Sequence, residues 1–346
     1  MRASNFVRFV AAAIAVTGAA VLSSSALVAQ NAGANAPPAK AYTTPKTPWG
    51  EPDLQGTFSN RTITPFERSP DVKGREFFTP EEVAAMEKQA ASRGGDEDRN
   101  RGTRGDVERA YNDFWWDRGT KVTTLRTSMV VDPPDGRVPA LTEEARKRQA
   151  DEAKQPVFRG TGASGRGTDT YLDRSTFERC ITRGLPGAMS PTAYNNNYRV
   201  TQGPGFVALE IEMLGGTRII PTDGRPHINS SIRQWLGNSV GRWDGDTLVV
   251  ETKNFTDKVL YRGAAENLHL VERIRRVGPG ELEYRVTISD PTTFTRPWTL
   301  VIPYVNTGEQ MFEYACHEGN YGMEGILSGA REDERKAAQA KQASPK

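Results

Sequence analysis

The second half of the chain is a series of short apolar runs separated by turn residues, and this pattern constrains the fold most. In Glu281–Ser289 apolar and polar residues alternate strictly, which is typical of a strand with one buried face. Turn pairs such as Asp223-Gly224 and Asp244-Gly245 separate the runs. We predict strands at Asp53–Phe58 in the first half and at Phe206–Leu214, Thr217–Pro221, Ile232–Leu236, Thr247–Thr252, Leu268–Arg276, Glu281–Ser289, Trp298–Val305 and Gln310–Cys316 in the second. Short strands with tight turns favour an antiparallel meander, so we predict a mainly β fold that closes into a barrel or curved sheet from Tyr198 to Cys316.

Short helices and loops are predicted for the first half. Thr79-Pro80-Glu81-Glu82 is a capping box with proline at the first helical position, and it predicts a helix to about Ala91. Thr142 is placed to cap a second helix. We therefore expect residues 49–197 to wrap the barrel, and residues 198–330 to form it.

The N-terminus has the pattern of a secretory signal peptide. Arg2 and Arg8 precede an uncharged run, Phe9–Ala29, that is rich in small residues. A transmembrane anchor is the alternative, but Ser23–Ser25 and other polar residues dilute the run. We predict a signal peptide at 1–29, a periplasmic or secreted protein, and no membrane span after cleavage.

Charge and composition limit the partners and the domain boundaries. Lys and Arg number 45 against 43 Asp and Glu, and this balance excludes a nucleic-acid binder, which needs a basic surface. Residues 30–48 are rich in Ala, Asn, Pro and Thr and predict a flexible leader. Residues 331–346 form a charged, Ala-rich tail that is either a frayed helix or disordered. Between them, we expect one β-rich domain over 49–330.

Cys180 and Cys316 are the two cysteines of the chain. In an oxidising compartment they can form a disulfide, and the alternative is two buried thiols that behave as small apolar side chains. We predict the bonded form, because no other cysteine competes for either partner. Neither a C-x-x-C redox motif nor a zinc-type spacing is present, so we predict no metal site and no cofactor.

The three histidines, His227, His269 and His317, are candidates for acid–base chemistry, because imidazole titrates near neutral pH. In a strand over 310–316, Glu313 would share a face with His317, and Glu318 follows it directly. A structural histidine bonded to a backbone carbonyl is the alternative. The predicted catalytic set is His317, Glu318, His227 and Arg233.

Several side chains suit a polar or amphiphilic ligand. The run Tyr194–Tyr198 supplies amides and phenols, although an Asn-rich turn explains it equally well. Glu272 lies on an apolar strand face, so it either pairs with an arginine or has a raised pKa. The predicted ligand-binding residues are Arg183, Tyr194, Asn195, Asn197, Arg225, Trp235, Glu272 and Tyr321.

Two motif matches lack the required context. Gly237–Gly241 matches G-x-S-x-G, but a hairpin turn follows where a nucleophile elbow needs a helix. Gly160–Gly165 matches G-x-G-x-x-G without a strand before it or a helix after it. We assign no function to either.

Five segments resemble a family of exported bacterial hypothetical proteins. They are Arg179–Gly187, Tyr194–Tyr198, Arg233–Gly237, Gly241–Thr252 and Tyr314–Tyr321. The resemblance covers about Trp49 to Arg331, and it implies export and a lipocalin-like, β-rich second half. It assigns no activity, substrate or catalytic residue.

Two functions follow from these residues. The first is a binding module in which the barrel mouth holds a small polar or amphiphilic molecule. The second is a periplasmic hydrolase or lyase in which His317 acts as general acid or base, with Glu313 or Glu318 orienting it and Arg225 or Arg233 holding an anionic or carbonyl group. Convergence of His317, His227 and Arg233 on one pocket would favour the enzyme.

Overall fold

The computed structural model describes residues 42–92, 117, 119–152, 154 and 167–343. The predicted signal peptide and residues 30–41 of the predicted leader lie outside these residues. In the described part of the leader, Thr44 and Thr47 are buried, so this part is packed and not free. Among the described residues, no helix combines the length and the apolar character needed to cross a membrane.

In the part of the chain that the structure describes, ten strands form an antiparallel sheet, and nine of them follow one continuous path. The strands are β1 (Gly56–Ser59), β2 (Val130–Asp132), β3 (Asn197–Gly203), β4 (Phe206–Ile211), β5 (Gly216–Pro221), β6 (Asn238–Asp244), β7 (Thr247–Lys253), β8 (His269–Gly278), β9 (Glu281–Ser289) and β10 (Trp298–Asn306). The path runs β5-β4-β3-β1-β10-β9-β8-β7-β6, and β2 pairs with β10 beside it. The predicted mainly β, antiparallel fold class is confirmed.

The two ends of the path, β5 and β6, lie against each other and nearly close the sheet into a barrel. All neighbours on the nine-strand path are antiparallel, so β5 and β6 run in the same direction. A tight hairpin cannot join two such strands, and residues 222–237 return to the other end of the barrel before β6 begins. Gly241 permits the close approach, because a Cβ there would lie 2.8 Å from Cγ2 of Ile220 in β5.

The first half of the chain contributes a strand to the barrel itself, which corrects the prediction that it only wraps the outside. In β1, Phe58 lies opposite Tyr198 of β3 on one side and Asn306 of β10 on the other. Without β1, the β3–β5 hairpins and the β6–β10 meander would each leave a free edge at this position. Alternation at 53–58 indicated a strand but gave no information about its partners.

Two predicted strands are absent from the described sheet. Ile232–Leu236 forms no strand, and its apolar residues Ile232 and Trp235 are exposed. The other is Gln310–Cys316, which passes outside the barrel without joining the ladder. Conversely, β3 and β6 were not predicted, because their polar residues obscure the alternation.

Among the described residues, three α-helices lie outside the sheet: α1 (Pro80–Ala91), α2 (Glu143–Glu152) and α3 (Tyr321–Ala343). The predicted capping box of α1 is present, since Thr79 accepts from the Glu82 backbone N–H and the Glu82 carboxylate accepts from the Thr79 N–H. Thr142 caps α2 through the N–H of Ala145. The described part of the charged tail belongs to α3, in agreement with the helical alternative.

The barrel interior is filled by side chains that alternate along the strands, and it includes a stack of aromatic rings. In β9, Leu282, Tyr284, Val286 and Ile288 are buried as the alternation predicts. Tyr198, Tyr284 and Tyr304 form a stack with ring centroids 4.8 and 5.6 Å apart. Full burial stabilises the fold by about 1.5–3 kcal/mol for each large apolar side chain.

Candidate functional site

One end of the barrel, where β3 begins and β1 ends, is covered by residues 183–190, and we call this end the mouth. The phenol of Tyr198 donates to the carbonyl of Ala188 at 3.0 Å, and that of Tyr304 donates to the carbonyl of Met189 at 2.7 Å. Asn60, directly after β1, also donates to the Met189 carbonyl, at 3.0 Å. Buried Leu185 and the tyrosine hydrogen bonds therefore fix the covering segment over the barrel interior.

Arg183 projects from this segment with its side chain mostly enclosed. Its guanidinium carbon lies 5.4 Å from the centre of the Phe177 ring. The Nε atom is buried and has no hydrogen-bond partner among the described residues. No described carboxylate pairs with it, and burial lowers the pKa of Arg183, an effect that neighbouring tyrosines only partly oppose. Arg183 is therefore a cation that the described protein groups leave without a counter-charge.

Among the described residues, four tyrosines lie close enough to Arg183 to interact with its charge: Tyr194, Tyr198, Tyr261 and Tyr314. We call them the tyrosine cluster. Burial raises the pKa of Tyr198 and of Tyr261, so both remain neutral phenols at physiological pH. Tyr194 and Tyr314 stack with centroids 6.3 Å apart. The cluster therefore offers apolar rings and neutral hydroxyls, and no negative charge.

The predicted disulfide is present and holds Tyr314 at the mouth. Cys180 and Cys316 are bonded with their Cα atoms 5.6 Å apart, which lies within the usual range. Asn320 adds a hydrogen bond of 2.9 Å to the carbonyl of Glu178. The segment after β10 is thereby tied to the segment that carries Arg183.

Two other buried polar atoms near the tyrosine cluster are unpaired among the described residues: Oδ1 of Asn60 and Nε1 of Trp298. Asn60 donates to the Tyr198 hydroxyl at 2.9 Å, and the Trp298 ring stacks on Tyr261 with centroids 6.2 Å apart. Each unpaired atom thus shares a tyrosine neighbour with Arg183. Buried polar groups are nearly always hydrogen-bonded in native proteins, so these three atoms, among seven unpaired buried side-chain atoms of the described residues, are candidates for contact with another molecule.

A second arginine, Arg218, lies inside the barrel and is fully paired. Its guanidinium forms a two-point ion pair with Glu272 and donates to the hydroxyls of Ser239 and Thr252. The Tyr284 hydroxyl donates to the same carboxylate at 2.8 Å. These contacts join β5 to β6, β7, β8 and β9 across the seam, by which we mean the place where β5 and β6 meet and nearly close the barrel. Of the two predicted alternatives for Glu272, the structure shows the arginine pair.

His227 and His269 both contact the carboxylate of Glu251 on the outer face of the barrel, one at each oxygen. Glu251 Oε1 lies 2.8 Å from Nε2 of His269, and Oε2 lies 3.3 Å from Nε2 of His227. Partial burial acts to raise the pKa of Glu251, but these hydrogen bonds and the charge of Lys253 lower it. Sequence reasoning missed this cluster, because it placed His269 on a solvated strand face but Glu251 on an apolar face with Val249.

The tautomer of His227 follows from its neighbours. Oδ1 of Asn238 accepts from the backbone N–H of Ile228 and lies 2.9 Å from Nδ1 of His227. Because this oxygen can only accept, Nδ1 of His227 carries a proton. Within the described residues, no group of three or more His, Cys, Asp and Glu side chains is arranged to hold a metal ion.

The remaining predicted residues are distributed over the surface. His317 and Glu318 are exposed beyond the disulfide, and no described hydrogen bond joins His317 to His227 or Arg233. Arg233 donates to the Glu266 carbonyl at 2.9 Å. Arg225 forms an ion pair with Asp223, and the side chains of Trp235 and Tyr321 are exposed. Asn195 lies in the turn before β3, and Asn197 is the first residue of β3. Of the predicted ligand-binding residues, the structure brings Arg183 and Tyr194 together at the mouth.

Comparison with known proteins adds little. No protein-family model matches the chain, and no curated protein matches it. A crystal structure of a mutant of the fluorescent protein UnaG is similar over 38% of this chain and 86% of that chain, with 16% sequence identity and a TM-score of 0.23. At that score the similarity carries no argument, and the description of the fold depends on the sheet itself.

Proposed function

We propose that this protein binds a small amphiphilic molecule at the mouth of its barrel. The observation that carries the proposal is the group of unpaired, buried polar atoms on Arg183, Asn60 and Trp298 beside the tyrosine cluster. A ligand with one polar end would supply hydrogen-bond partners to these atoms, and its apolar part would contact the tyrosine rings.

The enzymatic alternative has less support. General acid–base catalysis needs an imidazole within hydrogen-bond reach of its partner and of the substrate. His317 is exposed, and the predicted strand that would have aligned it with Glu313 does not form. Binding without chemistry therefore accounts for more of the described contacts.

Export is part of the proposal. It is supported by the uncharged apolar run after Arg2 and Arg8, and by a disulfide, which persists in oxidising compartments. The native protein should begin near residue 30, as measured by mass spectrometry of its N-terminal peptide. An intact Met1 on protein purified from its own cells would contradict this part.

Dye displacement tests the binding site. Nile red, a neutral dye whose emission increases in apolar sites, should bind the wild-type protein, and 4-phenylbutan-1-ol or 4-phenylbutyrate should displace it. Tyr194→Ala should weaken dye binding, because it removes one ring of the tyrosine cluster. Ile219→Ser is the matched control, since Ile219 is the exposed apolar residue on the outer face of β5.

The two variants distinguish dye binding at the mouth from dye binding on the outer face of β5. Loss of dye binding in Tyr194→Ala, with none in Ile219→Ser, supports the proposal. The reverse pattern, or a wild-type protein that binds no dye, would overturn it. Circular dichroism of each variant shows whether the barrel is retained.

A further inference from the structure

We infer that the ligand of the mouth carries a single negative charge of the carboxylate class, and that Arg183 binds it. This inference depends on the proposed function, because it names the chemical class of the same ligand. The observations that carry it are the buried, unpaired Nε of Arg183, the absence of a described counter-charge, and the neutral phenols of Tyr198 and Tyr261 close to it.

Other enclosed arginines of the described chain show what Arg183 lacks. Arg218 pairs with Glu272, and Arg174 pairs with Glu178, although the Nε atom of Arg174 is buried and unpaired like that of Arg183. Arg68 has no carboxylate, but it donates to the hydroxyl of Thr127 at 2.9 Å and to two backbone carbonyls. A buried charge is costly unless it is paired and hydrogen-bonded, so a guanidinium left without these contacts favours an anion from outside.

The one buried carboxylate on the nearby end of β4 is already occupied. Glu212 accepts from the backbone N–H of Asn197 at 3.2 Å and from that of Phe312 at 3.3 Å. It thus fixes the start of β3 and the segment that passes outside it, and no described ion pair joins it to Arg183. Arg183 remains the recognition group for a charged ligand.

The charge count favours a monoanion. Arg183 contributes one positive charge, and the tyrosine cluster contributes none. A planar carboxylate matches the donor geometry of a guanidinium in two parallel hydrogen bonds, and the phenols can donate to its remaining lone pairs. A phosphate dianion would remain half neutralised, and an ammonium group would be repelled.

The rest of the ligand would contact aromatic side chains. Tyr194 and Tyr314 are stacked with an angle of 11° between their planes, and the Phe177 ring centre lies 5.4 Å from the guanidinium carbon of Arg183. Such surfaces suit an aryl or alkyl chain of modest length attached to the carboxylate. We therefore choose 4-phenylbutyrate as the probe and 4-phenylbutan-1-ol as its uncharged counterpart.

Isothermal titration of the full chain with both probes tests the inference. Wild type should bind 4-phenylbutyrate about 10- to 100-fold more tightly than the alcohol, which is the range for a hydrogen-bonded charged group. Arg183→Met should remove this preference, so that the two probes bind the variant with similar affinity. Arg179→Met is the matched control, because Arg179 lies 5.3 Å from the Tyr171 ring in the same loop but outside the tyrosine cluster.

Each outcome has a distinct meaning. Equal affinity of the two probes for wild type, or a preference that survives in Arg183→Met, overturns the carboxylate class but leaves mouth binding intact. A probe preference lost equally in Arg179→Met also overturns it. If neither probe binds wild type while the dye also fails to bind, the proposed function itself fails.

Discussion

Arg218 and Arg183 are two arginines of one barrel, and they differ in the hydrogen-bond and charge partners that the protein provides. Arg218 lies in the interior with Glu272, two hydroxyls and a tyrosine around it, so the chain satisfies its hydrogen-bond donors. Arg183 lies at the mouth beside aromatic rings, with a buried Nε that no described group accepts from. A buried arginine that is paired within the protein joins strands, whereas an arginine without a partner in the protein is suited to bind a ligand.

Removal of the interior partner should have the largest effect. Glu272→Ala leaves Arg218 charged and buried, and we expect the free energy of unfolding to decrease by about 3–5 kcal/mol. Urea denaturation followed by circular dichroism measures it. The double variant Arg218→Met/Glu272→Met removes both charges and should be clearly more stable than the single variant. A single variant that loses less than about 1 kcal/mol would show that the pair does not close the seam.

Loss of the disulfide at the mouth should cause the next largest decrease in the free energy of unfolding. Replacing both Cys180 and Cys316 with serine should lower the free energy of unfolding by about 3 kcal/mol, since the bond constrains a long loop of the unfolded chain. The same urea experiment in reductant should bring wild type close to the variant. If wild type were equally stable with and without reductant, the disulfide would contribute nothing.

The sequence predicted the strands better than their partners. Alternation located β8 and β9 because each has one apolar face, and it could predict that Glu272 needs an arginine. It could not choose Arg218, because the pair joins β5 to β8 across the closure between β5 and β6, and that closure depends on the order of all nine strands. For the same reason the position of β1 between β10 and β3 was not predictable.

The candidate site was predicted only in part. Arg183 and Tyr194 were named from their polar surroundings in the chain, but the lack of a partner for Arg183 is a tertiary property. The cluster of His227, Glu251 and His269 could have been found from the shared polar face of β7 and β8 once their register was fixed. His317 was assigned a strand that does not form, so its alignment with Glu313 was wrong.

Arg183→Met should change stability in the opposite direction from the loss of Glu272. It removes an enclosed charge that has no described counter-charge, so the free energy of unfolding should be unchanged or should increase by about 1 kcal/mol. Measurement is by urea denaturation without added ligand. A decrease of more than about 2 kcal/mol would mean that the guanidinium is a structural group like Arg218, and it would contradict the contrast between the two sites.

Arg225 and Asp223 form a solvent-exposed ion pair, which we compare with the buried pair of Arg218 and Glu272. Its loss should have the smallest effect on stability. Hydrogen bonds from the Arg225 side chain and backbone lower the pKa of Asp223 to about 2. A carboxylate with a lowered pKa favours the folded state above its ordinary value of 3.8, and that contribution is lost as the pH falls towards 2. Because solvent and salt screen this pair, Arg225→Gln should leave the midpoint of thermal unfolding unchanged at pH 7. In an NMR titration the same variant should raise the pKa of Asp223 only part of the way towards 3.8, since the backbone N–H at position 225 still donates to it. A measurable loss of thermal stability at pH 7 would show that a solvent-exposed arginine pair contributes as a buried one does, and would remove burial as the reason for the difference between Arg218 and Arg225.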